Sequence, residues 1–142
     1  MPAINITQAL QFASNLQSNR RFAEAEKLYR QVLSADANNA DAMHLLGILM
    51  HQTGRTAQGI DLVRRALALH GRAPHYYTNL ANIFRAARQF DAAAGCLRQA
   101  CALDAKAVQP RLRLAHMLHG ELNRPSEAAE VFRQILAIEP NN

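Results

Sequence analysis

The chain contains no tryptophan, two cysteines, five prolines and six glycines, and aromatic residues make up only 6% of it. So little proline and glycine excludes collagen-like and low-complexity chains. The scarcity of aromatics, set against recurring Ala, Leu, Arg and Gln, favours helices over sheets. The longest apolar run, Leu45 to Met50, is six residues long and is flanked by His44 and His51, far short of the roughly 20 residues that span a bilayer. The opening stretch, MPAINITQALQFASN, has no basic start and no unbroken apolar core, so it does not read as a secretory signal. Reaction motifs are missing too: there is no Gly-x-x-x-x-Gly-Lys loop, no His-Glu-x-x-His, no Gly-x-Ser-x-Gly and no inward carboxylate pair. No catalytic residue is therefore assigned, and the chain is not expected to be an enzyme. Cys96 and Cys101 stand five residues apart, about 140° round a helix, and cannot pair with each other. This fits a reducing compartment, the cytoplasm, with packing as the role of both, and it deprives the Asn5-Ile6-Thr7 sequon of meaning.

What is present is a folding composition: 142 residues, 49% hydrophobic and 19% charged, with 16 Lys+Arg against 11 Asp+Glu for a net charge of +5. That is one domain, residues 1–142, with a bias toward anionic partners. The excess is spread evenly along the chain, which disfavours a nucleic-acid partner, since tracking phosphates requires a concentrated basic stripe.

The sequence also repeats. Ala25, Gly59 and Ala93 are spaced by 34 residues, as are Tyr29, Val63 and Leu97, and a fourth set, Ala128 and Phe132, follows at 35. A second small residue recurs at Ala13, Gly47, Ala81 and Ala115, each after a bulky one, Phe12, Leu46, Leu80 and Leu114, and here the spacing stays at 34 throughout. The one extra residue must therefore lie between the halves of the fourth unit, within His119 to Ser126, where a turn absorbs it at little cost. Apolar residues three and four apart within each unit predict two helices per unit. First helices are predicted at about 6–18, 40–52, 74–86 and 108–119 and second helices at about 22–35, 56–69, 90–103 and 126–138, with inner turns marked by Asn19, Gly54 and Gly120. Small residues facing each other, such as Gly47 and Gly59 or Ala81 and Ala93, let the paired helices approach closely.

This period, with Leu46-Gly47, Leu80-Ala81, Phe84 and the small slot at Ala25, Gly59, Ala93 and Ala128, resembles the tetratricopeptide repeat. The family's Trp slot holds Ala9, Met43, Tyr77 and Arg111, and its Pro slot Ala37, Gly71 and Ala105, with Pro140 as the family has it. The resemblance implies an all-α, right-handed α-solenoid of four helix-turn-helix units at about 6–39, 40–73, 74–107 and 108–142. It also implies a scaffold or adaptor whose first helices line a concave groove for an extended peptide or a partner's helix. Carried onto this chain, the groove slots are Asp41, His44, Ile48 and His51 in unit two, and His75, Asn79, Asn82 and Arg85 with Thr78 in unit three. Unit four adds Gln109, Arg113, His116 and His119 with Leu112, and unit one Thr7, Leu10, Ser14 and Gln17. With five of the six histidines, two arginines and one acid on it, this wall should favour an acidic protein or peptide.

One subset of the family clamps a terminal carboxylate with paired Lys, Asn and Arg; only Asn79 and Arg113 match that pattern here. Another lines the groove with asparagines that hold a peptide backbone, and Asn79-Leu80-Ala81-Asn82 is similar to the repeats preceding O-linked N-acetylglucosamine transferases and related bacterial enzymes. The alternative function this implies is the N-terminal substrate-recognition module of a larger glycosyltransferase-type enzyme. His116 and His119 lie three apart, and His44 and His51 two turns apart. Without a neighbouring Cys or carboxylate pair this is a weak zinc pattern, so neither metal nor cofactor is expected. Finally, a fifth unit would begin at Glu139-Pro140-Asn141-Asn142, so Phe132, Ile135 and Ile138 are expected to be partly bare. A segment of a longer protein, self-association through the last helix, or a last helix polar enough to cap itself would each account for that.

Overall fold

A computed structural model describes residues 5–140. Among them are eight helices and no strand: α1 (Ile6–Ser18), α2 (Phe22–Ala35), α3 (Ala40–Gln52), α4 (Thr56–Leu69), α5 (Pro74–Ala86), α6 (Phe90–Leu103), α7 (Gln109–His119) and α8 (Pro125–Ile138). Every helix foreseen from the apolar spacing is present, with ends displaced by one residue at most. Local chemistry explains where the helices start. The side chains of Asn5 and Asn39 accept from the backbone N–H of Gln8 and Ala42 at 3.0 and 2.9 Å, satisfying donors that a helix leaves unpaired. Pro74, Pro110 and Pro125 occupy the first turns of α5, α7 and α8, where a missing N–H costs nothing.

The inner turns follow one pattern. Arg20, Gly54 and Arg88, 34 apart, take positive φ of 61°, 86° and 61°, and the next N–H in each case reaches back five residues, Arg21 to Leu16, Arg55 to Met50 and Gln89 to Phe84. This is a Schellman closure. The left-handed residue of the first turn is thus Arg20, and Asn19 is only the C-cap. An arginine in this region costs about 1 kcal/mol, and the guanidiniums of Arg20 and Arg88 lie 5.6 Å from the rings of Phe22 and Phe90, a contact that recovers about 0.5 kcal/mol. In the fourth repeat Gly120 has φ −86°, and Asn123 takes the positive φ. There Arg124 N–H reaches back six residues to Leu118, so the extra residue sits in the turn assigned to it.

The helices form two compact units, Met1–Gly71 and Arg72–Asn142, each of two repeats. In the first, α1 packs on α2, α3 on α4, and α2 on α3; in the second, α5 packs on α6, α7 on α8, and α6 on α7. The small slots lie inside each hairpin: Ala13, Ala25, Ala93 and Ala115 are fully buried, Ala81 and Ala128 nearly so. Gly47 and Gly59 mark the closest approach, because a Cβ on Gly47 would stand 2.7 Å from Val63 Cγ2 and 2.8 Å from the carbonyl of Gly59.

One expectation needs correction. Ile135 is buried at 4% exposure, because it continues the inward stripe of Ala128 and Val131, whereas Leu136, one residue further round the helix, is 48% exposed; Phe132 and Ile138 are half-buried. Arg111, in the aromatic slot of the fourth repeat, is buried. Its Nη1 donates to the carbonyls of Ala107 (2.6 Å) and Asp104 (3.1 Å) and its Nη2 to that of Cys101 (3.4 Å), so the cation caps the negative end of α6. Cys96 and Cys101 are half-buried and not joined in a disulfide, and burial pushes the Cys101 thiol above its ordinary value. Among the described residues no helix is long and apolar enough to cross a membrane.

Candidate functional site

In the second unit the first helices of its two repeats, α5 and α7, border a cleft of about 420 Å³. Its floor is Ala81, Leu97 and Met117, and its walls carry Asn82, Arg85, Arg113, His116 and Glu121. Helical geometry accounts for the pairing: Asn82 and Arg85 stand i, i+3 on α5, Arg113 and His116 i, i+3 on α7, so each pair shares one face. Arg113 Nη1 donates across the cleft to Asn82 Oδ1 at 3.1 Å. Arg85 Nε lies 3.8 Å from Glu121 Oε1, with both side chains well solvated. The ring of His116 meets that of Phe132 edge-on at 5.8 Å between centroids. Two guanidiniums thus face one carboxylate, and Arg113 is held there by a neutral amide.

Four expected groove residues of this unit therefore come together: Asn82, Arg85, Arg113 and His116. Asn79 is half-buried on the same helix as Asn82, while Gln109 and His119 are exposed at the two ends of α7. His75 is exposed in the first turn of α5, and its ring lies edge-on against Tyr76 at 4.7 Å. Glu121 was not foreseen as a groove residue, since it belongs to the lengthened turn of the fourth repeat; a turn one residue longer was the only sign of it.

The first unit differs from the expected wall. Asp41 is exposed and Ile48 half-buried, but His44 is buried at 4% exposure and is no part of an open polar surface. His51 is half-buried, and its Nδ1 lies 3.0 Å from the hydroxyl of Thr56 at the start of α4, which ties it to its own repeat. Gln17 is engaged as well: Tyr29 donates its hydroxyl to Gln17 Oε1 at 2.6 Å, and Gln17 Nε2 donates to Gln52 Oε1 at 2.7 Å. Among the described residues no three His, Cys, Asp or Glu side chains gather as a metal site would require.

Comparison with known proteins agrees with the repeat architecture. Two models described as tetratricopeptide repeat match residues 16–83 and 78–142. Tetratricopeptide repeat protein 8 of Caenorhabditis elegans is 27% identical over 96 residues, 68% of this chain. That stretch spans only 19% of the length of this curated relative. Among solved structures, MamA from Desulfovibrio magneticus superposes with a TM-score of 0.80 at 16% identity, over 97% of this chain and 77% of the other. PilF of Pseudomonas aeruginosa gives 0.81 at 19% identity, over 96% and 62%. The O-GlcNAc transferase of Thermobaculum terrenum gives 0.73 at 28% identity, over 84% of this chain and 24% of the enzyme.

Proposed function

This chain belongs to the tetratricopeptide-repeat family, and from that premise we propose that it is a protein-interaction scaffold that takes an extended acidic peptide, or the acidic face of a partner's helix, in the cleft between α5 and α7. The observation carrying this reading is the cross-cleft pair of Arg113 and Asn82. A guanidinium held only by an amide can exchange that neutral acceptor for a carboxylate, which forms the stronger, charge-assisted bond. The amide released in the exchange is left to bond the peptide backbone, since it both donates and accepts. Leu97 and Met117 supply an apolar floor for a neighbouring side chain.

The test is selection from a displayed random-peptide library, followed by fluorescence anisotropy on the peptides enriched. Sequences rich in Asp and Glu are expected, binding at least about tenfold more weakly to the Asn82→Ala, Arg113→Ala double variant. Peptides that bind the variant undiminished would place the docking face elsewhere.

The 28% identity to an O-GlcNAc transferase, with the Asn79-Leu80-Ala81-Asn82 run, supports a second reading, the substrate-recognition module of a larger glycosyltransferase-type enzyme. Sequencing the gene on either side separates the two readings, because a glycosyltransferase domain in frame belongs only to the second.

A further inference from the structure

The two cations of the cleft are not equally available. Arg113 faces the neutral amide of Asn82, whereas Arg85, three residues further along α5 than Asn82, has Glu121 Oε1 3.8 Å from its Nε. Among the described residues that line the cleft, Glu121 is the one carboxylate. It stands there because α7 is short. At the same place in the other repeats Asn19, Thr53 and Ala87 are the C-caps of α1, α3 and α5; none of them carries a charge, and the backbone of each is taken up in closing its helix. In the fourth repeat α7 stops at His119 with Gly120 as its C-cap. Glu121 therefore lies one residue outside the helix, in the lengthened turn, and its carboxylate comes to the last turn of α5, where Arg85 sits.

We propose, resting on the reading of this cleft as an acidic-peptide site, that Glu121 sets its specificity: it occupies Arg85 in place of a ligand carboxylate and leaves Arg113 as the single anchor. The charges of the lining support this. Two guanidiniums and one carboxylate leave one positive charge over, which one ligand carboxylate neutralises. A second ligand acid brought to Arg85 would have to displace Glu121 or lie beside it as a like charge. Like charges set together are a means by which an interface rejects a wrong partner. The pair of Arg85 and Glu121 is long and solvated, so it contributes little to the fold; its effect falls on the ligand.

The probes are peptides enriched from the displayed library on the wild-type chain, labelled with fluorescein and measured by anisotropy. Each is also made with its acids replaced singly by Gln and its other positions singly by Glu. On the wild-type chain one acid should dominate, its loss weakening binding about tenfold, and no added Glu should gain more than about twofold. Glu121→Gln changes an exposed position, so its circular-dichroism melt should match wild type. On this variant a second acid should become effective, tightening binding about fivefold, as an exposed ion pair can. Adding Arg85→Ala to Glu121→Gln should remove that gain. Glu130→Gln makes the same change of net charge on α8, outside the cleft, and should bind as wild type. A second acid that is already effective on the wild-type chain overturns the proposal, as does a Glu121→Gln chain on which none gains. So does a gain that survives Arg85→Ala or is matched by Glu130→Gln. In each of these cases the acidic-peptide reading stands as long as Arg113→Ala weakens binding. A selection that enriches no acidic peptide, or peptides that bind the Asn82→Ala, Arg113→Ala variant undiminished, would instead remove that reading and the proposal together.

Discussion

Replacing Gly59 and Gly95 separately by alanine should move stability in opposite directions, although both lie inside second helices. In a helix interior alanine is favoured over glycine by about 1 kcal/mol. At Gly95 nothing lies within 4 Å of an added Cβ, so that gain should appear almost whole, raising Tm by about 3 °C for a chain of this size. At Gly59 the Cβ would overlap the carbonyl oxygen of Gly47 and stand 3.2 Å from the backbone N of His51. Both obstacles are backbone, which cannot rotate away, so α3 and α4 would have to separate and loosen Leu46, Leu62 and Val63. Overpacking of this kind costs about 1 to 3 kcal/mol, which exceeds the propensity gain and leaves Gly59→Ala destabilised by about 1 kcal/mol. Gly47→Ala meets both Val63 and the Gly59 carbonyl and should behave alike. The double variant should cost less than the sum of the two, because helices separated by one methyl already accommodate the other. Paired urea and thermal unfolding followed by circular dichroism measure all four proteins. A Gly59→Ala variant at least as stable as wild type would refute the close-approach argument, and a Gly95→Ala variant less stable would refute the propensity argument.

The remaining predictions concern polar groups. Arg111→Ala removes the guanidinium donors to the carbonyls of Cys101 and Asp104 at the end of α6 and of Ala107 before α7 and should cost about 3 kcal/mol in urea unfolding, whereas Arg111→Met, which keeps the aliphatic bulk, should cost less; equal losses would show that the guanidinium contributes nothing as a cap. Burial pushes the Tyr29 hydroxyl from its ordinary value of 10.0 up to about 12. The unfolded chain therefore ionises first, and the stability present below pH 10 should drain away between about pH 10 and 12; Tyr29→Phe should lose about 1 kcal/mol at neutral pH with its bond to Gln17 and flatten that alkaline decline. The Arg55 guanidinium, 2.5 Å from Glu26, holds the Glu26 carboxyl below the ordinary carboxylate range, against an opposing effect of burial and with help from Arg30. Its contribution is thus present above the ordinary value of 4.5 and lost as pH falls through the folded value, so Glu26→Gln should cost about 0.5 kcal/mol at pH 7 and shallow the acid limb of a stability profile; an unchanged acid limb would count against the ion pair.

The fold was legible because its information is repeated. Four copies of one pattern place each helix four times over, so the aromatic slot could hold Ala9, Met43, Tyr77 or Arg111 without obscuring the period. Where a feature occurred once, the residues said less. The positive φ of Arg20 and Arg88 was hidden because arginine is not a turn residue by composition; only alignment with Gly54 at the same register exposes it. In the fourth repeat the lengthened turn moves the left-handed residue from Gly120, the marker expected from the sequence, to Asn123.

The candidate site divides along the same line. Asn82, Arg85, Arg113 and His116 could be placed on a common face because their spacing on α5 and α7 is helical, and a period of 34 brings those faces into register. Burial is a different matter, since it depends on what a neighbouring helix puts opposite. His44 occupies the same slot of its repeat as Thr78 and Leu112, yet it is buried while those two are half-buried. A slot rule carries direction from repeat to repeat but cannot carry environment, because environment is shared with the adjoining repeat. Phe12 and Leu136 obey the same rule as Leu46 and Cys101 and end in water.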